Sequence, residues 1–208
     1  MSERTFFLPE SKSRVTAMIR ELEAQTSAEL VVAVKHTSGC YRDIDFLGGL
    51  TVALATLCAL LFLPVSFPIP AMPVDVVVGF LLGWFFTSHA PTLRRLLLTR
   101  RRMEAAVHVA ACASFVDRGI SRTKARNGIL VFVSTFERSV EVIADIGIDR
   151  ETLGEPWRLA LVAARGAAAK LDFDAFVEAL RSLGPTLGAA MPHTADDVNE
   201  LPDEVEES

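Results

Sequence analysis

Residues 46–63 read FLGGLTVALATLCALLFL, and residues 76–88 read VVVGFLLGWFFTS. The first run carries no charged residue, and at about eighteen residues it reaches the lower end of the membrane-spanning range. A helix satisfies its own backbone hydrogen bonds, so it can cross hydrocarbon without leaving polar groups unpaired. Gly48 and Gly49 weaken a helix in water but are tolerated in one surrounded by lipid. The second run reaches spanning length only if Asp75, His89 and Pro91 are included, each near an end where polar groups meet the interface. Between the two runs stand Pro64, Pro68, Pro70 and Pro73, which prevent one continuous helix and force a turn. The pair reads as a transmembrane helical hairpin, residues 43–93, with spans at 46–63 and about 74–90. The bland alternative is a buried helical pair inside a larger soluble core.

Charge placement gives this hairpin an orientation. No Lys or Arg occurs from Asp43 to Leu93, whereas Lys35 and Arg42 precede it and Arg94, Arg95, Arg100, Arg101 and Arg102 follow it. Cytoplasmic flanks carry the Lys/Arg excess, so both ends of the hairpin, and with them both termini, are expected in the cytoplasm. Tyr41 and Trp84 are expected as interfacial anchors. The five arginines are also candidate contacts for anionic lipid, at about 1 kcal/mol per charge near the surface.

The chain has 208 residues, 50% of them hydrophobic, and a formal net charge of −5. Without the hairpin about 160 residues remain, enough for one domain with its own core. The acidic balance speaks against nucleic acid as the main partner. Cys40, Cys58 and Cys112 form neither a disulfide framework nor a zinc spacing, as suits a reducing compartment. The first thirty residues lack the apolar core of a signal peptide, so the hairpin is expected to direct insertion.

Around the hairpin the order of elements is α/β. Val15, Met18, Ile19 and Leu22 fall on one face of a helix that Ser11 or Ser13 can cap. Glu29–Lys35 is a β-prone apolar run, the pattern of a strand covered on both faces. After the hairpin a long helix is expected from Thr92 to about Arg118, with Met103, Val107, Ala111 and Phe115 at helical spacing and Gly119 as its stop. His108 lies beside that stripe; read as a ligand it lacks a partner at i+4, and it reads as a structural histidine. Ile129–Val133 and Val140–Asp145 read as a β-hairpin around the turn Thr135–Arg138. A helix follows near Pro156, and Asp172 caps another, with Leu171 and Phe176 at the positions of a hydrophobic staple. Residues 193–208 hold seven acidic and no Lys or Arg residues, an acidic tail expected to be mostly extended and disordered at its end. The reading is therefore a small mixed β-sheet covered by helices on both faces, its halves at 6–42 and 94–192, interrupted by the transmembrane hairpin.

Residues 22–34 (LEAQTSAELVVAV) and 127–149 (NGILVFVSTFERSVEVIADIGID) resemble the opening helix–strand unit and the β-hairpin of the TPM-domain family, known from a thylakoid acid phosphatase and photosystem-repair proteins. Trp157, residues 196–203 (DDVNELPD) and the lead-in YRDID at 41–45 are similar to a bacterial branch of that family with a membrane hairpin inserted after the first strand. The resemblance implies a multi-pass protein of the bacterial inner membrane. It further implies a cytoplasmic domain that binds membrane-protein partners as an assembly or accessory module, or alternatively a metal-assisted phosphatase acting on phosphomonoesters.

For the phosphatase alternative the residues to test are Asp145, Asp149 and Glu137. As hard oxygen donors they are candidates to hold a divalent cation, calcium or magnesium. Arg138 is the matching candidate for binding phosphate. A ring of carboxylates on a soluble surface is the simpler explanation of the same residues. The chain has no HExxH, Walker loop, Gly-x-Ser-x-Gly elbow or Cys-x5-Arg. Ser134 and Ser139 have no histidine nearby in the sequence, so no serine triad is expected.

Overall fold

The computed structural model describes residues 3–64, 68–193, 200–201 and 206–207. It forms two compact units, one of Met1–Ser38 with Glu104–Ser208 and one of Gly39–Met103. The first unit is mixed α/β. Its elements are α1 (Pro9–Glu23), β1 (Glu29–Lys35), β2 (Gly128–Ser134), β3 (Ser139–Ala144), α6 (Arg150–Lys170), α7 (Phe173–Arg181), α8 (Gly184–Ala190) and a two-residue β4 (Glu206–Glu207). Between β1 and β2 in the chain come α2 (Arg42–Phe62), α3 (Met72–His89), α4 (Pro91–Leu97) and α5 (Arg100–Asp117).

The sheet runs in the order β3-β2-β1-β4. β1 pairs in parallel with β2, Val32 opposite Val131, and β2 pairs antiparallel with β3, Phe132 opposite Glu141. Alternate side chains leave opposite faces. Leu30, Val32, Val34, Ile129, Val131 and Val133 join the larger core with Val15, Ile19 and Leu22 of α1, Ala164 and Ala168 of α6, and Phe176 and Leu180 of α7. Val31, Ala33, Leu130 and Phe132 meet Val107 and Ala111 of α5, and Ile120, on the other face. Both faces are covered, which is why β1 and β2 read as unbroken apolar runs rather than alternating ones.

Local chemistry places the ends. Asp172 caps α7, its carboxylate accepting from the Ala175 N–H at 3.1 Å. Gly119, at φ +69, takes the left-handed turn that follows α5. α1 departs from expectation. It begins at Pro9, which needs no N–H in the first turn, and Leu8 offers no side-chain cap. Ser13 instead donates to the Glu10 carbonyl. The expected long helix 92–118 is also broken, because Leu98 is extended (φ −88, ψ 138) and the Thr99 carbonyl starts α5 afresh by accepting from Arg102 and Met103. α6 carries a kink at Gly154, φ 61 and ψ −150, just before Pro156.

The expected disordered end of the acidic tail falls in part on residues 194–199, 202–205 and 208, outside the described ones. The described parts lie along β1. The buried Glu29 carboxylate accepts from the N–H groups of Glu200 (3.2 Å) and Leu201 (3.4 Å), and Glu206–Glu207 pairs in parallel with Ala33–Val34.

The second unit is a helical hairpin. The stretches Arg42–Phe62 and Ile69–His89, each of 21 residues, are by length and composition long and apolar enough to cross a membrane. At 1.5 Å per residue each measures about 31 Å, the thickness of a hydrocarbon core. The helices meet through small residues. Gly79, Gly83 and Thr87, four apart, are buried on α3, facing Gly48, Gly49 and Val52 of α2. A Cβ on Gly83 would sit 2.7 Å from the Gly48 carbonyl oxygen, and one on Gly48 would strike the Thr87 hydroxyl. Thr87 and Thr56 turn their hydroxyls back to the carbonyls of Gly83 and Val52, both at 2.9 Å, so the seam leaves neither unsatisfied.

Candidate functional site

The residues singled out as a cation or phosphate site do not converge. Glu137 and Arg138 stand in the turn before β3, whereas Asp145 follows its last residue. The six residues of β3 put about 20 Å between them. Glu137 is buried, and its carboxylate is taken up by the chain: Oε1 accepts from the Ser38 N–H at 3.0 Å and Oε2 from the Ser134 hydroxyl, while Ser38 Oγ donates to Ser134 Oγ at 2.8 Å. This network ties the end of β1 to the end of β2. Arg138 is exposed and adopts φ 50, as the turn requires.

At the other end Asp145 is buried. Its Oδ1 accepts from the Ile146 N–H at 2.8 Å and its Oδ2 lies 3.7 Å from Arg126 Nη1. Asp149 caps α6 by accepting from the Thr152 hydroxyl at 2.6 Å and the Glu151 N–H at 3.0 Å. The Thr152 bond foremost, then the backbone bond, holds the Asp149 carboxyl below the usual carboxylate range. Among the described residues no group of three or more His, Cys, Asp or Glu side chains is arranged to hold a metal ion.

The arginine cluster of the second unit is internally paired in part. Arg94 grips Asp45 with two bonds, 2.9 and 2.6 Å, and Asp45 is buried. Arg102 grips Asp43 with two more, 2.6 and 2.7 Å, and its guanidinium stands 5.5 Å over the ring of Tyr41. Asp43 also raises the Arg102 pKa further above its already high value. Tyr41 is buried beneath this pair, whereas Trp84, deep in α3, is exposed. Arg95 is half-buried, and Arg100 and Arg101 point outward. Treating the five arginines as equivalent missed that the aspartates of YRDID are spaced to hold two of them.

A third arrangement was not foreseen. His108 and Cys112 stand one turn apart on α5, hence on one face. Glu141 lies opposite Phe132 in the β3–β2 register and therefore on the sheet face that α5 covers. His108 Nδ1 is 3.2 Å from Glu141 Oε1, and His108 Nε2 is 3.7 Å from Cys112 Sγ. The expectation of a histidine without an i+4 partner fails at Cys112, which occupies that position. The spacing His-x3-Cys on an amphipathic helix was the available signal. Glu141 could not be assigned to it without the strand register.

No known protein-family model matches the chain, and no curated protein matches it. Among solved structures it is similar to the NMR structure of BA42 protein from the psychrophilic bacterium Bizionia argentinensis, at 16% identity and a TM-score of 0.58. The alignment covers 97% of this chain and 94% of that one. At this identity the likeness bears on the fold alone.

Proposed function

We propose that this protein is a membrane-anchored binding or accessory module. In this reading α2 and α3 cross the bacterial inner membrane as a hairpin. The α/β unit is then tethered on the cytoplasmic side, where it engages membrane-protein partners during assembly or maintenance.

One observation carries the membrane part. Leu50, Leu54 and Leu61 of α2, and Val77, Leu81, Phe85 and Phe86 of α3, are each more than half exposed, while the buried residues of the same helices include the small Gly49, Ala53, Gly79, Gly83 and Thr87. A soluble helix hides its large apolar side chains and exposes small or polar ones. The inverse arrangement is expected where lipid is the solvent and close backbone approach holds helices together. Exposed large apolar side chains on this scale mark a membrane or protein-contact face. The arginines beyond α3 favour cytoplasmic ends. The resemblance of residues 22–34 and 127–149 to TPM domains supports the accessory role. The phosphatase alternative has no comparable support, since Arg138 and Glu137 stand far from Asp145 and Asp149.

Alkaline carbonate extraction of membranes tests the anchoring. The full chain should stay in the pellet and leave it only with detergent. Release by carbonate would contradict the anchor. Hydrolysis of a generic phosphomonoester by the purified chain, dependent on calcium or magnesium, would restore the phosphatase reading instead.

A further inference from the structure

We propose that Cys112, His108 and Glu141 form a thiol-exchange site, in which Cys112 attacks low-molecular-weight disulfides with His108 as its base and Glu141 as the residue that positions the imidazole. The inference is independent of the membrane reading, since all three side chains belong to the α/β unit.

The geometry assigns the roles. An ionised carboxylate only accepts, so Glu141 at 3.2 Å selects the tautomer with the proton on His108 Nδ1. Nε2 then presents its lone pair, and the group facing it at 3.7 Å is the Cys112 thiol. Nucleophile, base and orienting carboxylate thus stand in the sequence that activates a weak nucleophile. The sulfur and the imidazole are both exposed, so a small reactant reaches them without any rearrangement.

The surroundings select the reaction. Acyl transfer needs donors aimed at a developing oxyanion. Among the described residues, the recorded polar contact of Cys112 is the imidazole alone. Disulfide exchange asks for less, because the leaving group is itself a stable thiolate. The thiol proton passes to Nε2. The Cys112 sulfur forms a bond to one sulfur of the disulfide as the sulfur–sulfur bond breaks. The departing thiolate takes the electron pair and then the proton from the imidazolium. One thiol and one disulfide become one mixed disulfide and one thiol, with no other reactant.

The test uses the full chain in detergent with Cys40→Ala and Cys58→Ala, which leaves Cys112 as the sole cysteine. The probe is an aromatic disulfide that releases coloured nitrothiobenzoate. Rates are followed between about pH 6 and pH 8 and divided by the rate of the same chain unfolded, which removes differences in intrinsic thiol reactivity. The parent should react at least about tenfold faster than His108→Gln near neutral pH, and Glu141→Gln should fall between the two. His108→Gln should also follow the pH profile of the unfolded chain, whereas the parent should not. Circular dichroism confirms that the variants are folded; His108 is exposed, and glutamine keeps the size of the partly buried Glu141 side chain. Equal normalised rates and identical profiles in all three proteins would overturn the proposal.

Discussion

Gly83→Val tests how closely α2 and α3 approach. A Cβ at this position would lie 2.7 Å from the Gly48 carbonyl oxygen and 2.8 Å from Cβ and Cγ2 of Val52. Backbone atoms cannot swing aside, so the helices must separate. Forcing extra carbon atoms into a closed contact costs about 1–3 kcal/mol, and valine adds two methyl groups beyond Cβ. Relief of the glycine's helix penalty returns less than about 1 kcal/mol. The net loss should be about 1–3 kcal/mol. Gly166→Ala is the control: Gly166 is exposed on α6, a Cβ there would meet nothing within 4 Å, and the change should gain up to about 1 kcal/mol. The assay is unfolding of the full chain by SDS in mixed micelles. Replacing Trp157 by Phe leaves Trp84 of α3 as the sole tryptophan reporter of the hairpin, and replacing Trp84 leaves Trp157 for the α/β unit. If Gly83→Val unfolded at the parent's midpoint, the helices would not meet at Gly83 and the small-residue seam would be wrong.

Other predictions address the α/β unit. Glu137→Ala strands the Ser38 N–H and the buried Ser134 hydroxyl and should cost about 2–4 kcal/mol in urea unfolding read by Trp157. Glu137→Gln, which keeps one oxygen acceptor, should cost less. Replacing Asp45–Thr92 with a short Gly/Ser linker should leave cooperative thermal unfolding intact, since the α/β unit has its own core; an insoluble or non-cooperative product would count against that. Asp149 has a folded-state pKa below its unfolded value, so its contribution is present above the ordinary carboxylate range and is lost as pH falls through the folded value. Urea midpoints measured down to acid pH should therefore fall less steeply for Asp149→Asn than for the parent, and parallel curves would show that the cap contributes nothing.

Much of the fold was legible because its signals are local. Glu29–Lys35 is β-prone with an unbroken apolar interior, Leu30–Val34, and β1 occupies those residues. The β-hairpin strands were placed to within one residue at each end, and the Asp172 cap where its spacing from Phe176 implied. What escaped depends on contacts between distant residues. The break at Leu98 has no Gly or Pro to announce it, since Leu98 and Thr99 are ordinary helix residues. Asp145 and Glu137 looked adjacent because a hairpin brings its strands together, yet the same hairpin sends its turn and its open end apart. Glu141 could join His108 only once the register put it on the α5 face. The arginine pairs were hidden for a similar reason, with Asp45 and Arg94 lying 49 positions apart.

The proposed anchoring requires that the hairpin cross a membrane with the α/β unit on the cytoplasmic side. Single cysteines in a chain with Cys40, Cys58 and Cys112 replaced decide it directly. One is placed at Ile69, exposed between the two apolar helices, and the other at Arg158 on the surface of α6. Intact bacterial cells are treated with a membrane-impermeant maleimide before and after permeabilisation. Ile69→Cys should be labelled from outside, and Arg158→Cys only once the membrane is opened. An Ile69→Cys that stays silent until permeabilisation, or an Arg158→Cys labelled in intact cells, would contradict this topology.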